Sequence, residues 1–244
     1  MLIRKRGFYE TYVKRILDIA CSCLALVCFS WLYVLIAIIV RIKMGSPVIF
    51  KQPRPGIVDA KTGKETIFFM YKFRTMTEEK DEKGNLLPDE KRLPKFGEWL
   101  RKKSLDELPE IINILKGDMS VIGPRPQLVR DMVFMSEKQR MRHTAKPGLS
   151  GLAQVKGRNM ISWEEKFNWD LKYIEKISFW RDVQLVIETI WVAFVKQDGV
   201  TDGENATALD YGDIMLRDGK VTKEQYDELK NHAENLLREK GMIR

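Results

Sequence analysis

The chain of 244 residues is long enough for one sizeable domain with an appendage. Its 44% hydrophobic and 31% charged residues are typical of a folded protein and exclude a disordered chain. The net charge of +8 is concentrated at one end, because residues 1–54 carry nine Lys or Arg and only two acidic residues.

The first predicted element is an apolar helix over Ile16–Val40, a run of 25 residues whose one charged member is Asp18. At ~1.5 Å per residue, a straight helix of this length would be about 37 Å long, enough to cross a hydrocarbon layer of ~30 Å. A buried helix of a soluble protein is the alternative, but no charge interrupts the middle of the run. A cleavable signal peptide is not expected, because the run is too long and no small-residue cleavage site follows it.

The basic residues on both flanks of this helix favour a re-entrant topology. Lys and Arg prefer the cytoplasmic side of a membrane, so a single span would place one basic flank on the unfavourable side. A helix that breaks midway and returns keeps both flanks in the cytoplasm, and each half of ~12 residues, about 18 Å long, suits one leaflet. The charge pattern therefore predicts a re-entrant anchor over residues 1–44, although the length also permits a span.

All three cysteines lie inside the apolar helix, at Cys21, Cys23 and Cys28. They are interpreted as small hydrophobic residues in a reduced environment, without a disulfide framework. The two histidines, His143 and His232, are far apart in sequence, so a metal site built on Cys and His is not expected.

The region after the apolar helix alternates extended chain with loops and short helices. Three prolines predict a rigid, extended connector over Gly45–Gly56. The aromatic-rich run Glu65–Met76 is the best strand candidate, and the charged run Thr77–Arg92 is predicted to be an exposed loop. Two short helices follow, "FGEWLRKK" and "SLDELPEIINILKG", and Gly117 is expected to end the second.

The last third predicts two longer helices and an appendage. Glycines make Thr144–Asn159 a loop with a short strand, and Ser162 with Glu165 forms a capping box that begins a helix. The next stretch, "SFWRDVQLVIETIWVAFVK", predicts either an interfacial helix or a core helix. From position 197 onward the composition changes, and an amphipathic helix closing at Gly241 predicts a small appendage for a partner or a dimer.

The segment Ser104–Glu107 allows two interpretations. Ser104 and Glu107 have the spacing of a capping box, and acidic residues in a first turn suit the helix dipole. The same residues could instead carry chemistry. On the pattern alone, the capping box is the simpler interpretation.

Three features favour chemistry at this segment. Pro109 removes one helical hydrogen bond and bends the chain beside Asp106. Helical spacing predicts that Asp106, Glu110 and Asn113 face outward. The predicted buried stripe consists of Leu105, Leu108, Ile112 and Leu115. Nearby cations would keep a carboxylate ionised at neutral pH, and an ionised carboxylate can attack phosphorus or bind Mg²⁺.

Three stretches carry a family resemblance: "YKFRTM", "SLDELPEIINILKGDMSVIGPRP" and "KPGLSGLAQVKGRNMISWEEKFNWD". In this order they resemble the bacterial monotopic phosphoglycosyl transferases, sugar transferases that begin the assembly of polyprenyl-linked glycans. The resemblance covers roughly Lys14 to Lys196. It implies a membrane-associated, mostly helical α+β fold with short strands and interfacial amphipathic helices, at the cytoplasmic face of the bacterial inner membrane.

The resemblance also implies an activity and a set of site residues. Such enzymes transfer a phospho-sugar from a UDP-sugar to undecaprenyl phosphate with Mg²⁺ and release UMP. Asp106 would be the nucleophile that forms a covalent phospho-sugar intermediate and would also bind Mg²⁺, and Glu107 would position or deprotonate the acceptor phosphate. The residues that match substrate-binding positions are Lys72, Arg101, Arg125, Arg158 and Asp182, and the last of these could equally be an ion-pair partner.

One departure from the family pattern lies in the membrane helix. Family members carry Ser-Pro at the helix break, and that site matches Ser30-Trp31 here. Without proline the local cause of a break is lost, and Ser30 could bend the helix only weakly by bonding a preceding carbonyl. The flanking charges still favour re-entry.

The predicted organisation is a membrane anchor over residues 1–44, a catalytic domain over 45–196 and a helical appendage over 197–244. Expected partners are membrane lipids, the two substrates, and either a second copy or glycosyltransferases. Two alternatives are a membrane-anchored nucleic-acid-binding protein and a non-catalytic scaffold. No nucleic-acid partner is expected, because the basic excess surrounds the apolar segment. The Asp106–Glu107 pair argues against a scaffold.

Overall fold

The computed structural model describes residues 4–157, 161–192 and 209–243. A π-helical turn, Tyr9–Val13, precedes the first helix, and two 3₁₀ turns cover Leu105–Glu107 and Met141–Thr144. The strands are β1 (Ile49–Val58), β2 (Glu65–Phe73), β3 (Ser120–Ile122) and β4 (Gly148–Ser150). The helices are α1 (Lys14–Met44), α2 (Asp89–Arg92), α3 (Lys95–Lys102), α4 (Glu110–Lys116), α5 (Val129–Met132), α6 (Glu137–Arg140), α7 (Leu152–Gly157), α8 (Trp163–Glu175), α9 (Phe179–Trp191), α10 (Tyr211–Arg217) and α11 (Lys223–Glu239). The mostly helical α+β class and the long apolar N-terminal helix are confirmed.

Helix α1 runs without interruption through Ser30 and Trp31. The break expected in the middle of the apolar segment is therefore wrong: the Ser30 hydroxyl donates to the Val27 carbonyl at 3.3 Å, and no proline removes a backbone hydrogen bond. By length and composition, the continuous helix Tyr9–Met44 could cross a membrane. Most of its apolar side chains are exposed in the isolated chain, so they need lipid or another apolar partner.

Both ends of α1 are fixed to the folded body. At its start, the Lys14 ammonium pairs with Asp182 of α9, and the Asp18 carboxylate accepts from the Ser120 hydroxyl at 2.9 Å. At its end, the buried residues Ile36, Val40 and Met44 pack on Phe73 and Leu100. Between them Val27–Trp31 is exposed throughout, over more than one helical turn. The middle of α1 therefore stands clear of the body while its two halves are anchored.

Strands β1 and β2 form an antiparallel hairpin whose register runs from Ile49 opposite Phe73 to Pro55 opposite Ile67. The predicted strand over Glu65–Met76 is confirmed up to Phe73. The predicted connector is extended but belongs to β1, and its prolines are tolerated because each strand of a two-stranded sheet has an open edge. The buried face of β2 packs Phe68 and Met70 on α4.

Strands β3 and β4 pair in parallel and place two loops side by side. The approach is so close that a Cβ at Gly148 would lie 2.0 Å from the Gly123 nitrogen. The main apolar cluster, around Ile122, Tyr173 and Leu185, packs α8 and α9 against these strands. This packing fixes the loop that follows β3.

Helices α8 and α9 differ in how they meet solvent. The capping box of Ser162 and Glu165 at the start of α8 is confirmed, with hydrogen bonds in both directions. In α9, Leu185 is buried, whereas an apolar surface is exposed at Trp180, Ile187, Ile190 and Trp191. A core helix would bury both faces, so the exposed face favours the interfacial alternative.

The chain from Leu209 onward packs on the body. Tyr211 and Tyr226 share an apolar cluster with Phe134 and Phe167, and Ala233 of α11 packs on Val129 and Met132. The predicted amphipathic helix is confirmed as α11, and Gly241 beyond it has a positive φ of 64°. The first part of the predicted appendage, residues 197–208, lies outside the described residues.

Candidate active site

The turn that carries Asp106 and Glu107 is not a helix cap. Ser104 adopts a left-handed backbone conformation, with φ of 55°, and its side chain makes no capping hydrogen bond. Only a few per cent of residues other than glycine have positive φ, and such positions store local strain. The capping-box interpretation of Ser104 and Glu107 is therefore wrong. The 3₁₀ turn directs Asp106 inward, with 8% of its surface exposed.

The predicted outward face of α4 is also wrong. Glu110 and Asn113 are completely buried, whereas Ile112, which was expected inside, is 42% exposed. The regular helix begins only at Glu110, after the 3₁₀ turn and Pro109, so the helical phase that was counted from Ser104 does not continue. The sequence signal that was missed is Pro109 itself, because a helix restarts after proline with a new phase.

Asn113 fixes α4 to the hairpin. Its side-chain oxygen accepts from the Tyr71 amide at 3.0 Å, and its side-chain nitrogen donates to the Phe69 carbonyl at 2.7 Å. These bonds align α4 with the end of β2, where Lys72 projects. Buried amide groups that are satisfied in this way make a rigid connection. The carboxylates at the start of α4 are therefore held in a defined position relative to Lys72.

Lys72 is the centre of a cluster of three carboxylates. Its ammonium lies 2.8 Å from a Glu107 oxygen, 3.4 Å from a Glu110 oxygen and 4.0 Å from an Asp106 oxygen. The first two distances allow direct contact, and the third is at the limit of an ion pair. Within the described parts of the chain, Asp106 makes no hydrogen bond. Asp106 is therefore the partly exposed carboxylate of the cluster whose lone pairs have no hydrogen-bond partner among the described residues.

Arg125 binds the same Glu107 with both terminal nitrogens of its guanidinium, one of them at 3.2 Å. Its backbone carbonyl accepts from Arg142 at 2.6 Å, and Arg142 is itself buried against Asp170. The buried Arg142 thus fixes the backbone of the loop after β3 at Arg125. A bidentate pair of this kind fixes the guanidinium plane, a geometry that also suits phosphate oxygens.

The electrostatic environment gives the neighbouring carboxyl groups of Asp106 and Glu107 very different pKa values. Burial alone would raise the pKa of Glu107, but the charges of Arg125 and Lys72 outweigh it and hold that pKa well below its ordinary value. Glu107 in turn raises the pKa of Arg125. For Asp106 burial dominates and raises the pKa to about 6, although Lys72 opposes it. At neutral pH the Asp106 carboxylate is nevertheless still mostly ionised, as expected from the sequence.

Glu110 is the site residue that the sequence interpretation misplaced. Both of its carboxyl oxygens are buried and lack a hydrogen bond among the described residues, although one lies near the Lys72 ammonium. Burial and then the charge of Glu107 raise the pKa of Glu110 to about 7. Its protonation therefore changes near neutral pH, which is the range in which a group can exchange protons efficiently.

Two further arginines lie near the cluster. Arg101 donates from Nε to the Thr75 hydroxyl at 2.9 Å, and the close approach of α3 depends on Gly97, where a Cβ would lie 2.0 Å from the Thr75 carbonyl oxygen. Arg54 was not predicted. It donates to the Pro126 carbonyl at 3.1 Å, and burial and then the charge of Arg125 lower its pKa to about 10. The site therefore presents several cations to an incoming anion.

The structure does not bring every predicted residue together. Lys72, Arg101 and Arg125 surround the Asp106 turn, but the Asp182 carboxylate is occupied elsewhere, by Tyr9 at 2.8 Å, Tyr173 at 2.8 Å and Lys14. These contacts match the alternative of an ion-pair partner for Asp182. Arg158 lies outside the described residues.

The carboxylates of this site could hold a Mg²⁺ ion only together with ligands from a bound phosphate and water. Among the described residues there is no group of three His, Cys, Asp or Glu side chains arranged for a metal. Mg²⁺ commonly uses one or two carboxylates together with substrate phosphates and water. The unbonded carboxylate of Asp106 fits that pattern, whereas Glu107 is committed to Arg125. A metal here would depend on Asp106 and on a bound phosphate.

The comparisons with known proteins agree with this geometry. A family model described as bacterial sugar transferase matches residues 9–196. The chain is 46% identical to EpsL, an uncharacterized sugar transferase of Bacillus subtilis, over 80% of this chain and 94% of the relative. It is 35% identical to a UDP-glucose:undecaprenyl-phosphate glucose-1-phosphate transferase of Escherichia coli and 34% identical to a UDP-N-acetylgalactosamine-undecaprenyl-phosphate N-acetylgalactosaminephosphotransferase of Aeromonas hydrophila.

The extent of these matches differs between relatives. The Escherichia coli alignment covers 76% of this chain but 41% of the relative, and the Aeromonas hydrophila alignment covers 73% and 43%. The chain thus spans less than half the length of these larger relatives and nearly all of EpsL. The residues matched by the family model contain α1, the hairpin and the Asp106 turn. The chain therefore belongs to the bacterial sugar transferase family, the polyprenyl-phosphate sugar transferases that its motifs resemble.

Proposed function

We propose that the protein transfers a sugar phosphate from a UDP-sugar to undecaprenyl phosphate and releases UMP, with Asp106 as the nucleophile. The observation that carries the proposal is the state of Asp106. It is a largely ionised carboxylate without a hydrogen bond among the described residues, held at a strained turn between Lys72 and the Glu107–Arg125 pair. A carboxylate with unengaged lone pairs next to fixed cations suits attack on phosphorus.

The reaction divides into two displacements at one phosphorus atom. An Asp106 oxygen attacks the phosphorus that carries the sugar, the bond from this phosphorus to the bridging oxygen breaks, and that oxygen leaves with UMP. An oxygen of undecaprenyl phosphate then attacks the same phosphorus, and the bond to Asp106 breaks. The carboxylate is regenerated, and the acceptor carries a diphosphate linked to the sugar.

The other residues of the cluster provide charge and position. Lys72 and Arg125 stabilise the phosphoryl oxygens, which is most of what phosphoryl transfer requires from a protein. Glu107 is a weak base because the pKa of its carboxyl group is low, so we assign it to positioning Lys72 and Arg125 rather than to deprotonating the acceptor. Arg54 and Arg101 add positive charge for the nucleotide diphosphate.

A Mg²⁺ ion would be held by Asp106 and substrate phosphate oxygens. When bound, the ion would neutralise charge on the diphosphate and polarise its oxygens. Glu107 and Glu110 hold the Lys72 ammonium close to themselves and leave it 4.0 Å from the Asp106 carboxylate. The Asp106 oxygens therefore stay available to this cation.

The proposed placement is on the cytoplasmic face of the bacterial inner membrane, with the exposed apolar surface of α1 in the lipid. Both ends of this uninterrupted helix contact one folded body, which supports a placement with both basic flanks on the cytoplasmic side, since a spanning helix would separate its ends by ~30 Å of hydrocarbon. The exposed middle, Val27–Trp31, would enter the lipid, and the apolar face of α9 would lie at the interface. Cysteines introduced at Lys5 and Lys43 should both resist impermeant maleimide in intact cells. Labelling of either one would contradict this placement.

The decisive test is Asp106→Asn. We expect purified variant protein to release no UMP from a UDP-sugar and undecaprenyl phosphate while keeping the wild-type circular dichroism spectrum and melting temperature. The wild type, incubated with the donor alone, should acquire a phospho-sugar mass on the peptide that contains Asp106. Asp227→Asn on the exposed surface of α11 is the matched control and should retain full turnover. Substantial turnover by Asp106→Asn would remove it as the nucleophile.

The sugar is a separate question. The relatives with named activities act on different sugars, glucose and N-acetylgalactosamine among them. A panel of UDP-sugars with the wild-type protein, read out as UMP release, would identify the donor without changing the reaction class.

A further inference from the structure

A second cationic site lies where the chain enters α1. A cavity of about 180 Å³ opens there, and its lining includes four cations and two acids: Arg6, Lys14, Arg15, Lys146, Glu10 and Asp18. Arg15 donates to the Ile114 and Leu115 carbonyls at the last turn of α4. Asp106 precedes the first turn of α4, so the cavity and the Asp106 site lie at opposite ends of that helix.

The acids of the cavity are already committed to other groups. Glu10 accepts from Arg4 at 2.5 Å, and Asp18 accepts from the Ser120 hydroxyl and the Val121 amide, each at 2.9 Å. Lys14 is neutralised by Asp182. Among the described residues, no ion pair joins these acids to the other three cations, and the charges of Asp18 and Asp118 offset only part of the effect that lowers the pKa of Lys146.

Arg15 and Arg6 both lie close enough to Lys146 for their charges to repel its ammonium. A Cβ built at Gly117 would lie 3.5 Å from an Arg15 nitrogen and 3.6 Å from the Lys146 ammonium, so both groups converge on one point. In the described parts of the chain, neither Arg6 nor Lys146 makes a hydrogen bond or an ion pair. Burial lowers the pKa of Lys146, and the charge of Arg15 lowers it further. Cations gathered in this way are stabilised when an anion occupies the space between them.

The position of the cavity selects the kind of anion. It lies beside Ile16, where the exposed apolar surface of α1 begins, and Phe8, Tyr12 and Trp180 are exposed nearby. Aromatic side chains of this kind concentrate at the level of lipid headgroups. At ~30 Å³ per water, the cavity has room for about six waters, which is enough for a phosphate with its ester oxygens.

We propose that this cavity binds the phosphodiester of an anionic phospholipid headgroup, at a site separate from the one that holds the acceptor phosphate. Arg6, Arg15 and Lys146 supply the positive charge, and the start of α1 sets the depth at which the headgroup sits. The inference does not depend on the transferase reaction, since it concerns a lipid that is bound and not consumed.

The test is a binding titration of the full-length protein in non-ionic detergent with short-chain phosphatidylglycerol, read out as the rise in melting temperature that a ligand of the native state produces. Phosphatidylcholine of the same chain length and inorganic phosphate are the comparison ligands. We expect saturable stabilisation by phosphatidylglycerol alone, and at least a tenfold weaker apparent affinity in Lys146→Met and in Arg6→Gln. Lys43→Met, which removes the same charge at the far end of α1, should keep the wild-type affinity.

Several results would overturn the proposal. Equal losses in Lys43→Met and Lys146→Met would show diffuse attraction, and an equal effect of inorganic phosphate would show a site without lipid specificity. Absence of saturation would show no site. A raised KM for undecaprenyl phosphate in Lys146→Met would instead make the cavity part of the acceptor site. Because the titration needs no turnover, failure of the proposed reaction would leave its outcome unchanged.

Discussion

Replacing Lys72 by methionine tests whether electrostatics around Asp106 control the reaction. Methionine keeps much of the volume of the lysine stem but removes the ammonium 4.0 Å from the Asp106 carboxylate. At that distance an effective dielectric constant of about 20 gives an interaction of about 4 kcal/mol, or roughly 3 pKa units. Protonation of Glu107 or Glu110 in the variant would offset part of the change, so we expect the pKa of Asp106 to rise by about 1 to 3 units from its value of about 6.

The measurement is the pH dependence of UMP release. Raising the pKa of Asp106 decreases its ionised fraction at pH 7 from roughly nine-tenths to between about one-half and about one-hundredth. Activity at pH 7 should fall by a similar factor, and raising the pH should recover part of it. Lys51→Met is the matched control, because Lys51 lies on the adjacent strand β1 and its side chain points at the Tyr71 ring instead.

The shape of the profile separates two roles of Lys72. If the acid limb of kcat moves to higher pH, the ammonium keeps Asp106 ionised. If activity falls by the same factor at every pH, Lys72 acts only on the substrate, and the electrostatic argument is refuted. An unchanged profile with unchanged activity would remove Lys72 from the site altogether.

Three further predictions concern buried titratable groups. Glu110→Gln should remove an inflection near pH 7 from the activity profile while the protein remains active, since the pKa of Glu110 is about 7; a persisting inflection would assign it to another group. Asp182→Asn leaves the Lys14 ammonium buried without its partner and should decrease the free energy of unfolding in detergent by roughly 3–5 kcal/mol; the double variant with Lys14→Met should recover most of that loss, and no recovery would contradict the pairing. Burial lowers the pKa of His143 to about 4, so the unfolded chain takes up this proton at a higher pH than the folded chain does. The wild type should therefore lose stability as pH falls from about 6.5 to about 4. His143→Gln should lose less over that interval in pH-dependent thermal melts, and equal losses would show that other groups dominate.

Much of the fold was predictable because local signals decide it. The aromatic strand predicted over Glu65–Met76, the capping box at Ser162 and the stop at Gly117 each depend on a few neighbouring residues. The last two are confirmed, and the strand is confirmed up to Phe73. The long apolar helix was predictable from its composition. Its uninterrupted course followed from the absence of proline at Trp31, and the prediction of a break gave that absence too little weight.

The site itself was predicted in part. The family motifs predicted Asp106, Glu107, Lys72 and Arg125, which the structure brings together, but Glu110 was placed on the wrong face because the 3₁₀ turn and Pro109 reset the helical phase. Helical periodicity assumes one backbone conformation throughout, so it cannot predict the left-handed conformation of Ser104.

Arg54 was missed for a different reason. It enters the site from β1, and its proximity to Arg125 arises only from tertiary packing. A sequence pattern reports neighbours along the chain, whereas this contact joins residues 72 positions apart.

The contact between Lys14 and Asp182 joins residues 168 positions apart in sequence. During synthesis, chains emerge N-terminus first at ~5–20 residues per second. The first turn of α1 therefore leaves the ribosome roughly 8 to 34 seconds before the partner that fixes it. Through that interval the start of α1 lacks its Asp182 partner, and the synthesis of α9 supplies the contact that fixes it to the folded body.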